Sequence, residues 1–369
     1  MNWRGLIESL LITLLALACS LVVFSLFIMV YSRLAMDEPV GPRELWRAIF
    51  TGGFGSRRAW MNTLSKAAPL ILTALCTALP ARLGLIIIGN EGALVLGGLA
   101  AAAVGVPLSA LPFPLPQLGM LLCAMAAGAL LIALCGGLSH WRGVNATISS
   151  LLLTYVVIGV FDYLVEGPLR DPASLNKPST VPIAPGAWIG TVPGLDVHWG
   201  LVFGIVACLL SWVLLDHTTF GFAARMTGGN VRAAKAAGLA VGRLILVTCL
   251  LGGAAAGLAG GVEIAAVHRQ ANGGLYAARL GYTGILVSFV ARHHPLGIIP
   301  VALLFGGLRA ASDVLQIRLG LPDASVDVLV GIVFVLILLF ETFYGRLKVF
   351  QPRDVRPAPA PAVAASQAA

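Results

Sequence analysis

Charge is scarce in this chain. Of 369 residues, only 11% are Asp, Glu, Lys or Arg, against about 25% in soluble domains. Lysine is scarcest, with four in all, Lys66, Lys177, Lys235 and Lys348. None of them follows a glycine, which excludes the GxxxxGK[ST] phosphate loop. HExxH and GxSxG are also missing, and His293–His294 is an adjacent pair without the one-turn spacing of a helical zinc site. The six cysteines, Cys19, Cys76, Cys123, Cys135, Cys208 and Cys249, show no CxxC or other ligand spacing. Each sits in an apolar run and reads as a small buried hydrophobe. No basic stripe carries interleaved aromatics, so nothing points to nucleic acid. No catalytic residue, metal site or cofactor of this chain's own is expected.

What is abundant is apolar surface: 58% of residues are hydrophobic and the mean hydropathy is +0.92. Soluble packing cannot hide that much, because a folded domain of this size still exposes roughly a quarter of its chain surface. Lipid must be the solvent for much of it. Backbone groups in lipid must be satisfied internally, leaving helices or a closed barrel. The apolar runs are about 20 residues long and do not alternate, which selects helices. The predicted fold class is therefore an all-α integral membrane bundle of about ten transmembrane helices. They fall near 8–31, 61–79, 84–105, 118–138, 145–165, 198–217, 243–262, 281–291, 296–312 and 326–343. The eighth run is too short to cross alone and reads as a broken or re-entrant helix. The first run, following Arg4, is longer than the core of about 7–15 residues in a signal peptide, so it reads as a retained span.

The net charge of +8 follows from basic loops that stay on the cytoplasmic side and meet anionic lipid. Arg82, His140 and Arg142, the 218–243 segment, Arg292, and Arg346, Lys348, Arg353 and Arg356 fall on one side if both termini are cytoplasmic. The 32–60 segment conflicts. It would be external, yet it holds Arg33, Arg43, Arg47, Arg57 and Arg58, beside Asp37, Glu38 and Glu44. The predicted division is a permease-like membrane domain over 1–351 and a disordered Pro/Ala-rich tail over 352–369.

Five features interrupt the apolarity. Gly89-Asn90-Glu91-Gly92 places a carboxylate in an apolar span, which costs a few kcal/mol at the bilayer centre and points to a bundle interior or polar path. A cap at a helix start near the membrane surface is the other reading of Glu91. The motif GNEGALV over 89–95 resembles GYTGILV over 281–287, suggesting duplicated halves. In the segment from Thr219 to Arg243, Gly228-Gly229 reads as a chain break and Asn230 as an N-cap. A short helix follows over 231–237 and stops at Gly238. Gly253, Gly257 and Gly261 lie on one face of the seventh span and suit tight helix packing. Finally, 166–172 (EGPLRDP) reads as an irregular outer connection, with Asp162 and Glu166 nearby.

In this order, the segments resemble the permease subunits of bacterial ABC importers in the branched-chain amino acid, simple sugar and nucleoside group, with the nucleoside (guanosine/purine) type most similar. The family's NIGxEGQ pattern matches at Gly89, Glu91 and Gly92. Its NEVISTLMLNYIA stretch matches loosely over Asn145–Val157, including Tyr155. Its GRAVGENPEAARYAGI pattern matches at Arg225, Gly228, Asn230, Ala233, Ala234, Ala237 and Gly238. GPLRDP over 167–172, HPLGI over 294–298 and LLFGGLR over 303–309 also fit. Departures fall at Ile87 and Ala93, where the family has Asn and Gln, and at Gly229-Asn230-Val231, where it has Glu-Asn-Pro.

The resemblance implies a substrate path near Gly89, Asn90, Glu91, Gly92, Asn145 and Tyr155. It also implies an ATPase coupling helix that includes Arg232 and Lys235. The expected partners are separate ATPase subunits that carry ATP-Mg, a second and different permease, an extracytoplasmic binding (lipo)protein, and lipid of the bacterial inner membrane. A sugar or branched-chain amino acid permease is the near alternative. An ion-coupled secondary transporter using Glu91 is the alternative of a different class.

Overall fold

A computed structural model describes residues 3–36 and 39–341. The 352–369 tail, Arg346, Lys348, Arg353 and Arg356, and Asp37 and Glu38 lie outside the described residues. In chain order the helices are α1 (Trp3–Ala35), α2 (Pro42–Gly53), α3 (Arg57–Ala81), α4 (Asn90–Leu108), α5 (Leu115–Arg142), α6 (Ala146–Glu166) and α7 (Gly200–Asp216). They continue as α8 (Thr219–Gly229), α9 (Val231–Ala236), α10 (Val241–Val262), α11 (Gly274–Ala277), α12 (Leu280–Val290), α13 (Pro295–Leu319) and α14 (Ala324–Glu341). A π-helical segment, Glu263–His268, extends α10.

Among the described residues, seven helices are long and apolar enough to cross a bilayer, and α7 with α8 forms an eighth unit bent by 71°. The predicted count of about ten is approximate for a physical reason. α12 has 11 residues, a length of about 16 Å, against a hydrocarbon core of about 30 Å. The run predicted to start at residue 84 is not helical there. Residues 85–88 form no regular structure and α4 begins only at Asn90.

Local chemistry sets the boundaries. The Ser56 hydroxyl accepts the Ala59 amide at 3.1 Å and starts α3. Asn145 accepts the Thr147 and Ile148 amides at 2.9 and 3.2 Å and starts α6. Gly143, at φ +68°, ends α5 in the left-handed conformation that glycine adopts freely.

α10 is wedged between α3, α4 and α5, and its glycine stripe explains how. A Cβ at Gly253 would overlap the Gly128 carbonyl of α5, and one at Gly257 would overlap the Ala124 carbonyl. A Cβ at Gly261 would stand 2.8 Å from the Ala124 Cβ. Gly97 of α4 meets Gly257 as well. In lipid such backbone contact supplies the dispersion that holds helices together. All six cysteines are free thiols, four of them buried.

The bundle has two chemically distinct ends. At one, the 167–199 segment is pinned by the Ile183 amide on the Arg269 carbonyl (2.9 Å), the Ile189 amide on the Ala265 carbonyl (3.1 Å) and Gln117 Nε2 on the Gly186 carbonyl (2.7 Å). Arg269 stacks over the Trp188 ring at 3.7 Å. The 39–60 segment sits at this end too, since Arg57 reaches the Gly194 carbonyl at 3.5 Å. Its α2 buries Leu45, Ala48 and Ile49 and packs on α13. The opposite end gathers Arg82, His140, Arg225 and His294: Gly228 abuts the Arg82 carbonyl and Gly242 abuts the His140 ring. The arginine-rich 39–60 segment is therefore opposite the main basic end, and the conflict seen in the sequence is real geometry.

Candidate functional site

Two helix starts meet inside the bundle. The non-helical Leu85–Ile88 stretch brings the chain back alongside α3. There Asn90 Nδ2 donates to the Thr73 carbonyl at 2.7 Å and the Thr77 hydroxyl at 2.9 Å, while that hydroxyl donates to the Ile87 carbonyl at 3.0 Å. Asn90 and Glu91 are both fully buried. The Glu91 side chain points at the start of α12, where its Oε2 accepts the Tyr282 backbone amide at 3.1 Å. Its Oε1 is buried without a hydrogen bond. A Cβ at Gly281 would overlap the Glu91 backbone, so only glycine permits this approach. The repeated motifs GNEGALV and GYTGILV are thus the two helix starts that touch.

Both sequence readings of Glu91 meet here in altered form. It is a helix cap, but deep in the bundle and on another helix, where a carboxylate suits the positive dipole end. Gly92 lies against α6, with Thr154 Oγ1 2.8 Å from where a Cβ would stand. Tyr155, next on α6, is 61% exposed. Asn145 is spent on capping α6 at the basic end. Of the six residues predicted along the path, the structure clusters Gly89 to Gly92, sets Tyr155 one residue from their α6 contact, and leaves Asn145 apart.

At the basic end, α8 and α9 form the expected insertion with one correction. Gly228 and Gly229 do not break the chain; they are the last residues of α8. Gly228 is small because the Arg82 carbonyl packs onto it. The break is at Asn230, whose Oδ1 accepts the Arg232 and Ala233 amides at 3.0 and 3.1 Å. α9 ends before Gly238, at φ +78°. Ala234 is its only buried residue; Arg232, Ala233, Lys235 and Ala237 are exposed. Arg225 pairs with Asp216 at 3.1 Å, and His294 faces the same carboxylate at 3.8 Å. His293, hydrogen-bonded to Ser288 at 2.9 Å, has its imidazole pushed down to about 4, by burial first and by Arg82 second.

Sequence reasoning gave no role to two ionisable residues in apolar spans. Arg309 of α13 donates to the Ala278 carbonyl and the Thr283 hydroxyl, both at 2.8 Å, and so braces the α12 start from the other side. Glu263 sits at the foot of α10, 5% exposed. The rule that singled out Glu91, a charge inside an apolar run, applies equally to both.

A bundle with discontinuous helices crossing inside it and a short exposed helix at one end is the architecture of a transport permease. The comparisons agree. The family described as branched-chain amino acid transport system / permease component matches residues 60–338, and the chain belongs to it. The glucose ABC transporter permease protein TsgB13 of Haloferax volcanii is 32% identical over 88% of this chain and 87% of its own length. The guanosine ABC transporter permease protein NupP of Bacillus subtilis is 28% identical over 79% of this chain and 84% of its own. The nucleoside ABC transporter permease protein NupB of Lactococcus lactis is 26% identical over 81% and 85%. The chain is a multi-pass membrane permease subunit of an ABC importer, and that family works with ATPase and substrate-binding partners.

Proposed function

We propose that this permease carries a nucleoside or a related small polar solute across the bacterial inner membrane, with both termini cytoplasmic. The relatives named for guanosine and nucleosides, and for glucose, share a hydroxyl-bearing ring as cargo, which supports this class. The chain itself catalyses nothing and binds no cofactor. ATP-Mg is held by two separate ATPase subunits, and a binding (lipo)protein delivers solute to the end that carries the 167–199 segment. A second, different permease completes the conduit, with the Gly89–Gly92 crossing and Tyr155 of α6 beside it.

The observation that carries the reading is α9. A six-residue helix, capped at both ends and exposed on all but one residue, is shaped to enter a groove on another protein. Arg225, Gly228, Asn230, Arg232, Ala233, Ala234, Lys235, Ala237 and Gly238 form this coupling element. Its motion on ATP binding passes through α8 to the bend at α7.

The test is uptake of radiolabelled guanosine by cells with and without the gene. Loss of uptake on deletion, and its persistence when the proton gradient is collapsed with ATP maintained, is expected. Uptake that follows the proton gradient would sink the reading.

A further inference from the structure

A cavity of about 400 Å³ opens at the end that carries the 167–199 segment, between α3, the π-helical foot of α10 and α13. It plays no part in the reading above. Four carboxylates line it, Glu263, Asp313, Asp323 and Asp327, against two permanent cations, Lys66 and Arg309. The aspartates are engaged. Asp313 pairs with Lys66 at 3.7 Å and Asp327 with Arg309 at 3.4 Å, while Asp323 accepts the Ser312 hydroxyl.

Glu263 is different. It is 5% exposed, yet it accepts no hydrogen bond from any described residue; His268 Nε2 stands 3.6 Å from its Oε2. A buried carboxylate without donors is costly. It also opens a π-helical segment, a departure from α geometry that recurs at functional sites. A second, independent group points the same way. His198, 7% exposed, lines the cavity with both ring nitrogens free of hydrogen-bond partners. Burial holds its imidazole below the ordinary 6.5, with the Ser65 backbone acting in the opposite sense. A neutral imidazole offers an acceptor nitrogen.

The cavity thus has more carboxylates than cations in its lining, a carboxylate at Glu263 that no described group donates to, and a buried imidazole at His198 without a partner. Anions are repelled. Among the described residues no group of three or more His, Cys, Asp or Glu could hold a metal ion. An ammonium group brings one positive charge and three donors, and a volume in this range holds a small solute. We propose that this cavity binds a small organic ammonium ion, with Glu263 as its counter-ion and His198 as a second acceptor. The cavity wall includes Arg309, whose other bonds reach Ala278 and Thr283 at the start of α12. The proposal does not depend on which solute the importer carries.

The test uses the full chain in lipid nanodiscs and three probes of similar size: ethanolammonium, neutral ethylene glycol and anionic glycolate. Binding is read by calorimetry or saturation-transfer NMR. Ethanolammonium is expected to bind saturably and the other two not. Glu263→Gln is expected to weaken it about tenfold or more, since a charge-assisted bond is lost, and His198→Ala about threefold or more. Asp162→Asn, in a separate cavity at the same end, leaves affinity unchanged. Equal binding of ethylene glycol, no binding of ethanolammonium, or wild-type affinity in folded Glu263→Gln would each overturn the proposal. If Glu263→Gln does not fold, His198→Ala decides it, and unchanged affinity there overturns it.

Discussion

Glu91 and Tyr282 stand 191 residues apart, yet the Glu91 carboxylate accepts the Tyr282 backbone amide at 3.1 Å. This bond joins the starts of two helices that carry the repeated motif. It turns an intramembrane charge into a cap for a short helix that has no other acidic group in its first turn. Glu91→Gln keeps an acceptor oxygen and is expected to fold and retain part of the uptake activity. Glu91→Ala leaves the amide buried without a partner, at a cost of about 1–3 kcal/mol, and is expected to lower both the melting midpoint and uptake. Equal stability of the two variants would contradict this role.

The α10 glycine stripe makes a sharper steric prediction. Gly257→Leu must collide with the carbonyl of Ala124 and with Gly128, and backbone on both sides cannot yield. No monodisperse protein is expected in size-exclusion chromatography. Gly159→Ala, with nothing within 4 Å of the added Cβ, is expected to be neutral or to stabilise α6 by up to about 1 kcal/mol.

His293 predicts an acid limb. Its folded-state value of about 4 lies below the ordinary 6.5, so the unfolded chain takes up a proton that the folded chain refuses. The stability it contributes is fully present above about pH 6.5 and is lost progressively as pH falls toward about 4. His293→Asn keeps a polar group beside Ser288 and tolerates the left-handed backbone at φ 56°. It is expected to flatten the fall in melting midpoint over that window. An unchanged acid limb would assign it to other groups.

Asn230 satisfies two amides at the start of α9. Asn230→Ala is expected to cost about 1 kcal/mol of local order, which weakens ATPase binding about fivefold if α9 docks as a preformed helix. Titration of the reconstituted permease with its ATPase measures this. Unchanged affinity would mean that the order of α9 is not needed for docking.

Much of this was legible in the sequence. Bulk apolarity gave the membrane bundle, and the four-residue spacing of Gly253, Gly257 and Gly261 gave the packing face. Asn230 and Gly238 marked the ends of α9, because capping depends on neighbours in the chain. What was not legible depends on distant partners. Nothing in GNEGALV alone says that Glu91 reaches across to Tyr282, and nothing in Gly228-Gly229 says that the pair stays helical against Arg82. Leu85–Ile88 reads as one more apolar turn. Its lack of helix goes with the Asn90 bonds to α3, which become visible only once α3 is in place. Glu263 was hidden as a charge in an apolar run whose flanks carry no motif, and Arg309, although it ends the LLFGGLR stretch, because its partners Ala278 and Thr283 lie in a distant part of the chain.

The central claim is that this bundle is driven by an ATPase docked on α9. Copurification of the tagged permease with its ATPase tests it most directly, comparing wild type with Arg232→Glu/Lys235→Glu. Both side chains are exposed, so the double variant is expected to fold as wild type and to lose the ATPase. An ATPase retained at wild-type stoichiometry on the folded double variant would contradict the account.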